Sequence, residues 1–355
     1  MNANATIRVS IVVACRNEIK HIAAFLDSIL DQNMEGITWE AIFADGMSTD
    51  GTRQVLEQYC AKHTELRVIA NPARIVSNGL NAAIRASRGE IIMRMDAHTS
   101  YAPDYCRVSL ETLERTGADN VGGPARTRAV GPQARAVAAA YHSRFSTGGA
   151  RFHDVNYEGF ADTVPYGCWR KTTLERIGMF DESLVRNQDD ELNLRLIRSG
   201  GKIWQSPAIV SWYSPRPTLS GLFRQYFQYG FWKVAVLKKH RLPGSWRQLV
   251  PVIFVLANIS LLICMGVAAV RGPQWFNVAA GLWLLFASTY ACACLLASLQ
   301  SAARYGWSTF PYLPVAFAAY HFSYGFGFFM GLLKLTGPGM AISPASETAF
   351  TKITR

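Results

Sequence analysis

The chain has 355 residues, of which 50% are hydrophobic, and it carries a formal net charge of +11. This length is too great for one small domain and fits two structural regions. The seven cysteines form no Cys-x-x-Cys pair and no regular framework, which argues against a disulfide-stapled fold and indicates free thiols in a reducing compartment.

The N-terminal part of the chain, up to about residue 125, alternates between short apolar runs and amphipathic runs. Residues 7–14 form a β-branched run that is typical of a buried parallel strand. Residues 18–30 then place their apolar side chains on one helical face. The alternation continues through predicted strands at "WEAIFAD", "LRVIAN" and "EIIMRMD", with predicted helices at "TRQVLEQYCAKH" and "SNGLNAAIRAS". This order predicts an α/β domain whose parallel sheet is covered by helices on both faces.

Polar clusters follow the predicted strands at the point where each strand ends. They are "CRNE" after the first strand, "DGMSTDGT" after the second and "DAH" after the fourth. Ligands of parallel sheets bind beyond the carboxyl ends of the strands, so these clusters are expected to converge in space. A carboxylate at Asp45 could accept the imide N–H of a uracil or bind a ribose. Glu18 could bind a ribose or favour a helix start.

The stretch "MDAH" ends the fourth predicted strand and offers two candidate metal ligands. Asp96 and His98 lie two positions apart, and a cation bound to a diphosphate needs few protein ligands because phosphate and water supply the rest. Imidazole is a legitimate ligand of Mn²⁺, although carboxylate suits that ion better. Taken in isolation, the pattern favours a strand end whose histidine binds nearby backbone.

An acidic triplet begins a later predicted helix in "RNQDDELNLRL". Asp189, Asp190 and Glu191 would favour the helix by interacting with its dipole. A carboxylate in this position could also act as the general base for a hydroxyl nucleophile. The sequence leaves open which member of the triplet would do so.

Three long segments near the C-terminus are almost free of charge. They cover residues 249–270, 275–299 and 310–333. About 20 apolar residues span a bilayer, so the sequence predicts three transmembrane helices. Within the third segment, Gly325, Gly327 and Gly331 indicate close helix packing, and His321 is expected to make an interhelical hydrogen bond.

The segment before these apolar runs is basic and aromatic, and no acidic residue occurs from Gly201 to Ser346. Residues 219–246 resemble an amphipathic segment that lies in the membrane interface. A nucleic-acid interface uses the same ingredients, but the position beside a predicted span favours the membrane. Basic residues next to a span predict that this segment and the N-terminal domain lie on the cytoplasmic side.

Together the polar motifs resemble those of family 2 inverting glycosyltransferases with the GT-A fold. The motifs occur in the family's order and spacing, and they are "VSIVVACRNE", "DGMSTDGT", "SNGLNAAIRASRGEIIMRMDAH" and "QDDELNLRLIRSGG". The resemblance covers roughly residues 7–215, and it implies a mixed, mainly parallel sheet between helices. The whole chain looks most like the membrane-anchored glucosyltransferases of bacterial exopolysaccharide assembly, of the succinoglycan-biosynthesis type.

The resemblance also implies roles for particular residues. The nucleotide-sugar site would contain Ala14, Arg16, Glu18, Asp45, Asn81, Arg85 and Asp96. Asp96 and His98 match the family's Asp-x-Asp, which binds the ribose and a divalent cation, Mn²⁺ or Mg²⁺, on the diphosphate; the histidine departs from that pattern. Asp189 matches the family's base, with Asp190 as the alternative because the triplet's register is open.

On the acceptor side the resemblance implies a loop at residues 165–171 and a second motif near the first predicted span. Trp169 in the loop could stack on a sugar or belong to the core. Gln228 and Trp232 frame a motif that in processive family members reads Gln-x-x-Arg-Trp, but Phe231 occupies the arginine position here. Since phenylalanine cannot bind polar donor groups, transfer of a single sugar is favoured.

The predicted function is transfer of one sugar, glucose from UDP-glucose, to a polyprenyl-diphosphate-linked saccharide at the bilayer, with no nucleic-acid partner. The alternatives are a processive polysaccharide synthase and a non-catalytic membrane scaffold on a decayed transferase domain. The predicted location is the cytoplasmic (inner) membrane, crossed several times, with the catalytic domain in the cytoplasm. The predicted parts are a catalytic domain at 1–215, an interface segment at 216–248, three spans within 249–335 and a tail at 336–355.

Overall fold

A computed structural model describes residues 6–241 and 244–335, and these form two compact units. The sheet unit comprises the described residues up to 127 and residues 151–214. The helical unit comprises residues 128–150 and the described residues from 215 onward. The predicted catalytic domain at 1–215 differs from the sheet unit in the segment 128–150. The predicted tail at 336–355 lies outside the described residues.

The sheet unit contains one large mixed sheet and one small sheet. In chain order its strands are β1 (Val9–Cys15), β2 (Trp39–Asp45), β3 (Leu66–Ala70), β4 (Ile91–Arg94), β5 (Thr99–Tyr101), β6 (Asn120–Gly122), β7 (Gly159–Phe160), β8 (Cys168–Arg170), β9 (Ile203–Gln205) and β10 (Ser211–Tyr213). The large sheet has the order β3-β2-β1-β4-β8-β6-β9-β7, and β5 pairs with β10. β1 to β4 are parallel, while β8 is antiparallel to both β4 and β6. The mixed, mainly parallel sheet expected from the sequence is therefore confirmed.

Helices cover this sheet and build the helical unit. In chain order they are α1 (Ile22–Leu30), α2 (Thr52–Cys60), α3 (Val76–Ala86), α4 (Tyr105–Thr116), α5 (Pro132–Tyr141), α6 (Arg144–Thr147), α7 (Lys171–Ile177), α8 (Gln188–Arg198), α9 (Leu219–His240), α10 (Val250–Arg271), α11 (Pro273–Tyr305) and α12 (Leu313–Leu335). Short 3₁₀ helices occur at Arg151–His153, Trp246–Leu249 and Trp307–Tyr312.

Side chains of β1 alternate between two hydrophobic cores, as the two-residue period of a strand requires. Val9, Ile11 and Val13 belong to a cluster that also contains residues of α1 and α4. Val12 belongs to a second cluster, with residues of α3 and α8 such as Leu196. The apolar run that predicted a buried strand thus forms an interior strand of the sheet, with a core on each face.

A buried carboxylate lies near the amino end of β2. Glu40 accepts hydrogen bonds from Ser10 Oγ at 2.8 Å, from the backbone N–H of Arg88 at 2.6 Å and from Arg67 at 2.9 Å. Burial raises the pKa of this carboxyl, but the hydrogen bonds from Arg88 and Ser10 and the charge of Arg67 outweigh that effect and hold the pKa below its usual value. The carboxylate therefore ties β2 to β1, to β3 and to the turn before β4.

Replacing Glu40 should destabilise the full chain. We expect Glu40→Gln to lower the free energy of unfolding by about 2 kcal/mol, because charged hydrogen bonds are lost inside the protein. A carboxylate with a lowered pKa stabilises the fold above its unfolded-state pKa, and this contribution is lost as the pH falls through the folded-state pKa. Thermal unfolding at neutral and acid pH should thus show a difference between wild type and variant that shrinks in acid. The control is Glu57→Gln, which removes an exposed ion pair with Arg53; an equal loss of stability in both variants would contradict the interpretation.

Close approach of α9 and α12 depends on glycine in the helical unit. A Cβ added to Gly230 would collide with the carbonyl oxygen of Tyr324, and one added to Gly327 would collide with that of Phe227. Gly331 lies similarly near the carbonyl oxygen of Phe231, 2.7 Å from the position of its added Cβ. Small residues let two helix backbones approach in this way. Segment 216–248, predicted to lie in the membrane interface, thus contains a helix that packs along its length on α12.

The packing of α9 on α12 can be tested with a single methyl group. We expect Gly327→Ala to lower the stability of the protein by about 2 kcal/mol, since the added carbon forces the helices apart. Gly266→Ala in α10 is the matched control, because no atom lies within 4 Å of its added Cβ. Thermal unfolding in detergent should show a lower midpoint for the first variant and an unchanged or higher one for the second. Equal midpoints would show that the glycine contact is unimportant.

Two helices of the described chain are long and apolar enough to cross a membrane. They are Trp246–Arg271 and Pro273–Tyr305, and most of their residues lie on the surface of the unit. The third predicted span forms α12, which is not one of these two and is largely buried against α9 and α5. His321 of α12 bonds Tyr290 Oη at 3.0 Å and the carbonyl oxygen of Phe145 at 2.9 Å. This is the structural role that the sequence favoured for it.

Candidate active site

The carboxyl ends of β1, β2 and β4 lie at one edge of the sheet. Cys15 of β1 is paired with Asp45 of β2, and Val12 is paired with Arg94 of β4. Asp96 follows two residues after the end of β4. The polar clusters that follow these strands are therefore brought to a common edge.

Arg94, the last residue of β4, connects two of the predicted acidic residues. Its guanidinium binds the Asp96 carboxylate, with Nη2 3.2 Å from Oδ2, and also binds Oδ1 of Asp189. The arginine is buried, and its guanidinium carbon Cζ lies 6.0 Å from the centre of the Phe180 ring. This ion triad brings the turn after β4 together with the start of α8.

The sequence interpretation missed Arg94. The residue is a single cation inside the apolar strand "EIIMRMD", and a buried cation is stable only when it is paired with acids. That signal was available and pointed to an acidic partner, although it could not name Asp189. The partner is 95 positions away in the chain.

Asp189 lies in the first turn of α8, two residues after the N-cap Asn187, whose φ is 61°. It is the member of the acidic triplet that binds Arg94. Glu191 is fully buried and binds Arg195 one turn later, with 2.6 Å between Oε2 and Nη2. Glu191 therefore stabilises the helix. Asp190 is half-buried beside Asp189.

Opposing effects act on the charges of the triad. Burial alone would lower the pKa of Arg94, but Asp189 and Asp96 raise it above its ordinary value, so the guanidinium stays charged. Dense surroundings raise the pKa of Asp189, Arg94 opposes the rise and Asp96 adds to it. The Asp189 side chain is nevertheless 41% exposed, so one side of the carboxylate is open to a ligand.

The turn that carries Asp96 and His98 is held by tyrosines. The backbone N–H of Asp96 donates to Tyr101 Oη at 2.8 Å, and Thr99 Oγ1 lies 2.7 Å from Tyr166 Oη. His98 is half-buried, with its ring edge-on to Tyr213 at 6.4 Å.

A carboxylate 19% exposed and an imidazole two residues later form a donor set that fits a divalent cation whose other ligands come from a diphosphate. Among the described residues, no three His, Cys, Asp or Glu side chains are arranged so that they could hold one metal ion. Asp96 and His98 are thus the residues that would hold such a cation, together with ligands from outside the protein.

The loops after β1 and β2 are bonded to each other. The backbone N–H of Asn17 donates to Ser48 Oγ at 2.9 Å, and that of Glu18 donates to Thr52 Oγ1 at 2.7 Å. Asp45 is buried and accepts from the backbone N–H of Ser48 at 3.2 Å.

Arg16 is exposed and its side chain lies against Gly46, where an added Cβ would be 3.0 Å away. Ala14 is half-buried on β1. Of the four residues predicted to meet a nucleotide, Ala14 and Asp45 therefore lie at the carboxyl ends of β1 and β2, and Arg16 and Glu18 lie in the loop after β1.

Asn81 and Arg85, predicted to face the donor, have partners within the chain. Asn81 Nδ2 donates to Glu182 Oε1 at 2.9 Å, and Arg85 donates to the same oxygen at 2.9 Å. Both side chains therefore connect α3 to the loop before α8.

The predicted acceptor-side residues are buried. Trp169 lies on β8 within the core and packs edge-on against Phe180, which favours the core role of the two left open by the sequence. Gln228 and Trp232 lie one turn apart on α9, in the helical unit, and both are buried. Phe231 between them is fully buried at the contact with α12.

Comparison with known proteins shows which family of proteins the sequence resembles. The sequence model described as "Glycosyl transferase family 2" matches residues 10–169. The chain is 30% identical to the succinoglycan biosynthesis protein ExoA of Rhizobium meliloti over 91% of this chain and 94% of that protein. It is 27% identical to a dolichyl N-acetyl-α-D-glucosaminyl phosphate 3-β-D-2,3-diacetamido-2,3-dideoxy-β-D-glucuronosyltransferase of Methanococcus voltae, over 92% of this chain and 97% of that protein.

Among solved structures, the chain is similar to the mannosyltransferase PcManGT of Pyrobaculum calidifontis, which was solved with GDP-Man and Mn²⁺. The TM-score is 0.53 and the identity 21%, over 89% of this chain and 86% of that one. This likeness shows a GT-A-like fold. The sequence matches identify the class of protein as a sugar-transferring enzyme. The chain belongs to glycosyltransferase family 2. Its succinoglycan-type resemblance is also confirmed.

Proposed function

We propose that the protein is an inverting, metal-dependent glycosyltransferase that transfers one glucose from UDP-glucose to a polyprenyl-diphosphate-linked saccharide at the membrane. The observation that carries the proposal is the ion triad, in which Arg94 joins Asp96 and Asp189 at the carboxyl edge of the sheet. In this proposal the Asp96 carboxylate serves the diphosphate side of the donor, and the Asp189 carboxylate, whose side chain is 41% exposed, serves the acceptor.

The proposed reaction is a single displacement. Asp189 accepts the proton of the acceptor hydroxyl, and that oxygen attacks the anomeric carbon from the face opposite the diphosphate. The bond from the anomeric carbon to the diphosphate oxygen breaks, and the nucleoside diphosphate leaves with the electron pair. A divalent cation, when bound at Asp96 and His98, would offset the charge on the departing diphosphate.

Three features support the finer parts of the proposal. The buried Asp45 carboxylate at the end of β2 suits the imide N–H of uracil, which favours a UDP-linked donor. Two long apolar helices and a relative that acts on a dolichyl phosphate sugar favour membrane association and a lipid-linked acceptor. Phe231 is buried where processive enzymes carry an arginine, which favours transfer of one sugar.

The membrane arrangement belongs to the same proposal. Basic residues precede the first apolar helix, as expected on the cytoplasmic side of a bacterial inner membrane, so the catalytic domain would lie in the cytoplasm. α12 would add a third span to the two apolar helices.

Asp189→Asn should strongly reduce transfer and leave nucleotide binding intact. We expect turnover to fall by about 10²–10⁴-fold, because the amide cannot accept the acceptor proton. Membranes carrying the full chain would be incubated with a panel of nucleotide sugars and lipid-linked saccharides, and the product should be one sugar longer. UDP affinity would be measured by calorimetry.

Asp190→Asn is the matched control for this experiment, because it changes the neighbouring acid in the same way. A large loss in Asp190→Asn with activity kept in Asp189→Asn would show that the base is Asp190. No transfer by the wild type from any nucleotide sugar would overturn the enzymatic proposal, and a product extended by several sugars would overturn the nonprocessive one.

His98→Ala should weaken metal binding. If His98 is a ligand, Mn²⁺ affinity in the presence of UDP should fall at least about tenfold, as expected when a metal site loses a supporting residue. The affinity would be measured by Mn²⁺ titration followed by electron paramagnetic resonance, which is independent of turnover. His21→Ala, at an exposed position after β1, is the control. Equal Mn²⁺ affinity in wild type and both variants would show that His98 is not a ligand.

A further inference from the structure

One carboxylate outside the ion triad gathers three donors from a single helix. Glu182 Oε2 accepts from Asn78 at 2.9 Å, and Glu182 Oε1 accepts from both Asn81 and Arg85 at 2.9 Å. The donors occupy successive turns of one face of α3. Hydrogen bonding by Asn81 is the main cause that lowers the pKa of Glu182, so the side chain stays ionised at neutral pH.

The same helix also binds the backbone on both sides of Glu182. Asn81 donates to the carbonyl oxygen of Phe180 at 2.8 Å and accepts from its N–H at 3.0 Å. Ser77 Oγ donates to the carbonyl oxygen of Leu184 at 2.9 Å. The loop of residues 180–184 is thus attached to α3 at three alternate residues, Phe180, Glu182 and Leu184.

This attached loop leads directly into α8, whose first turn carries Asp189. Its Phe180 ring also lies beneath the guanidinium of Arg94, the partner of Asp189. A displacement of the loop would therefore move the carboxylate and disturb the packing of its cation. Displacements of about 1 Å in an active site can reduce turnover by about 10²-fold.

We propose that Asn78, Asn81, Arg85 and Glu182 form a clamp by which α3 positions Asp189 for the acceptor hydroxyl. The inference rests on the proposed function, in which Asp189 is the base. The four are positioning residues, since they act through the loop and α8. Asn81 and Arg85, for which the family resemblance implied donor contact, act in this inference through their hydrogen bonds to Glu182.

The clamp is tested by Glu182→Ala and Glu182→Gln in the full chain. We expect kcat to fall about 10- to 100-fold in Glu182→Ala, while the KM for the donor and the Kd for UDP stay within about twofold. Glu182→Gln keeps an oxygen that accepts from the asparagines and should restore part of the loss. In an Asp189→Asn background, Glu182→Ala should lower the residual rate little further, because its effect passes through that residue.

The matched control is Glu158→Ala. Glu158 pairs with Arg115 at 2.8 Å and is 42% exposed, compared with 39% for Glu182, so both variants remove one surface ion pair from the sheet unit. Unchanged kcat in Glu182→Ala, or the same loss in the Glu158 variant, would overturn the inference. So would a loss of UDP affinity that accounts for the whole loss of activity.

Amide hydrogen exchange supplies a readout that needs no turnover. The Phe180 N–H is bonded to Asn81 Oδ1, so exchange over residues 178–188 should speed up in Glu182→Ala and stay unchanged in Glu158→Ala. Unchanged exchange in both variants would show that there is no clamp. A wild type that transfers no sugar while exchange still speeds up would overturn the proposed function and with it the catalytic role of the clamp, leaving only the physical attachment.

Discussion

The arrangement of the candidate active site depends on one buried cation. Arg94 ends β4, one of the two central strands of the sheet, and its guanidinium binds both Asp96 and Asp189. Taking a charge out of water costs several kcal/mol, and the cost is offset only when the geometry of its partners is good. The start of α8 and the turn after β4 must therefore meet at this point. Without Arg94, Asp96 and Asp189 would repel each other, since each raises the free energy of the other's ionised form.

The order of strands and helices in the N-terminal half could be predicted from the sequence because hydrophobic periodicity is a local signal. The central strands and their flanking helices follow the predicted alternation closely, and the polar clusters meet at one sheet edge as expected. The later strands were harder to predict. β6, β7, β8 and β9 are two or three residues long, too short for a period to be recognised, and β8 runs antiparallel to its neighbours.

Long-range pairing explains what the sequence interpretation missed in the site. The partner of Arg94 is set by how α8 docks, and no local pattern encodes that docking. The same holds for Asn81 and Arg85, whose helix position was predicted but whose partner, Glu182, follows about a hundred residues later. A family resemblance tells which position in the chain matches a family motif, but it does not tell which residues that side chain contacts. Contacts within the protein must be known before a polar residue is assigned to a ligand.

The segment 128–150 has a consequence for how the protein is made. It is inserted in the chain between β6 and β7, yet the alanine-rich face of α5, with Ala136 and Ala139, packs with Phe317 and Tyr320 of α12. During synthesis α5 leaves the ribosome well before α12 exists, so its apolar face must wait for the last described helix. A chain cut after residue 215 would keep every strand of the sheet and still expose that face. No single cut in the chain therefore separates the two compact units, because each of them contains two stretches of sequence.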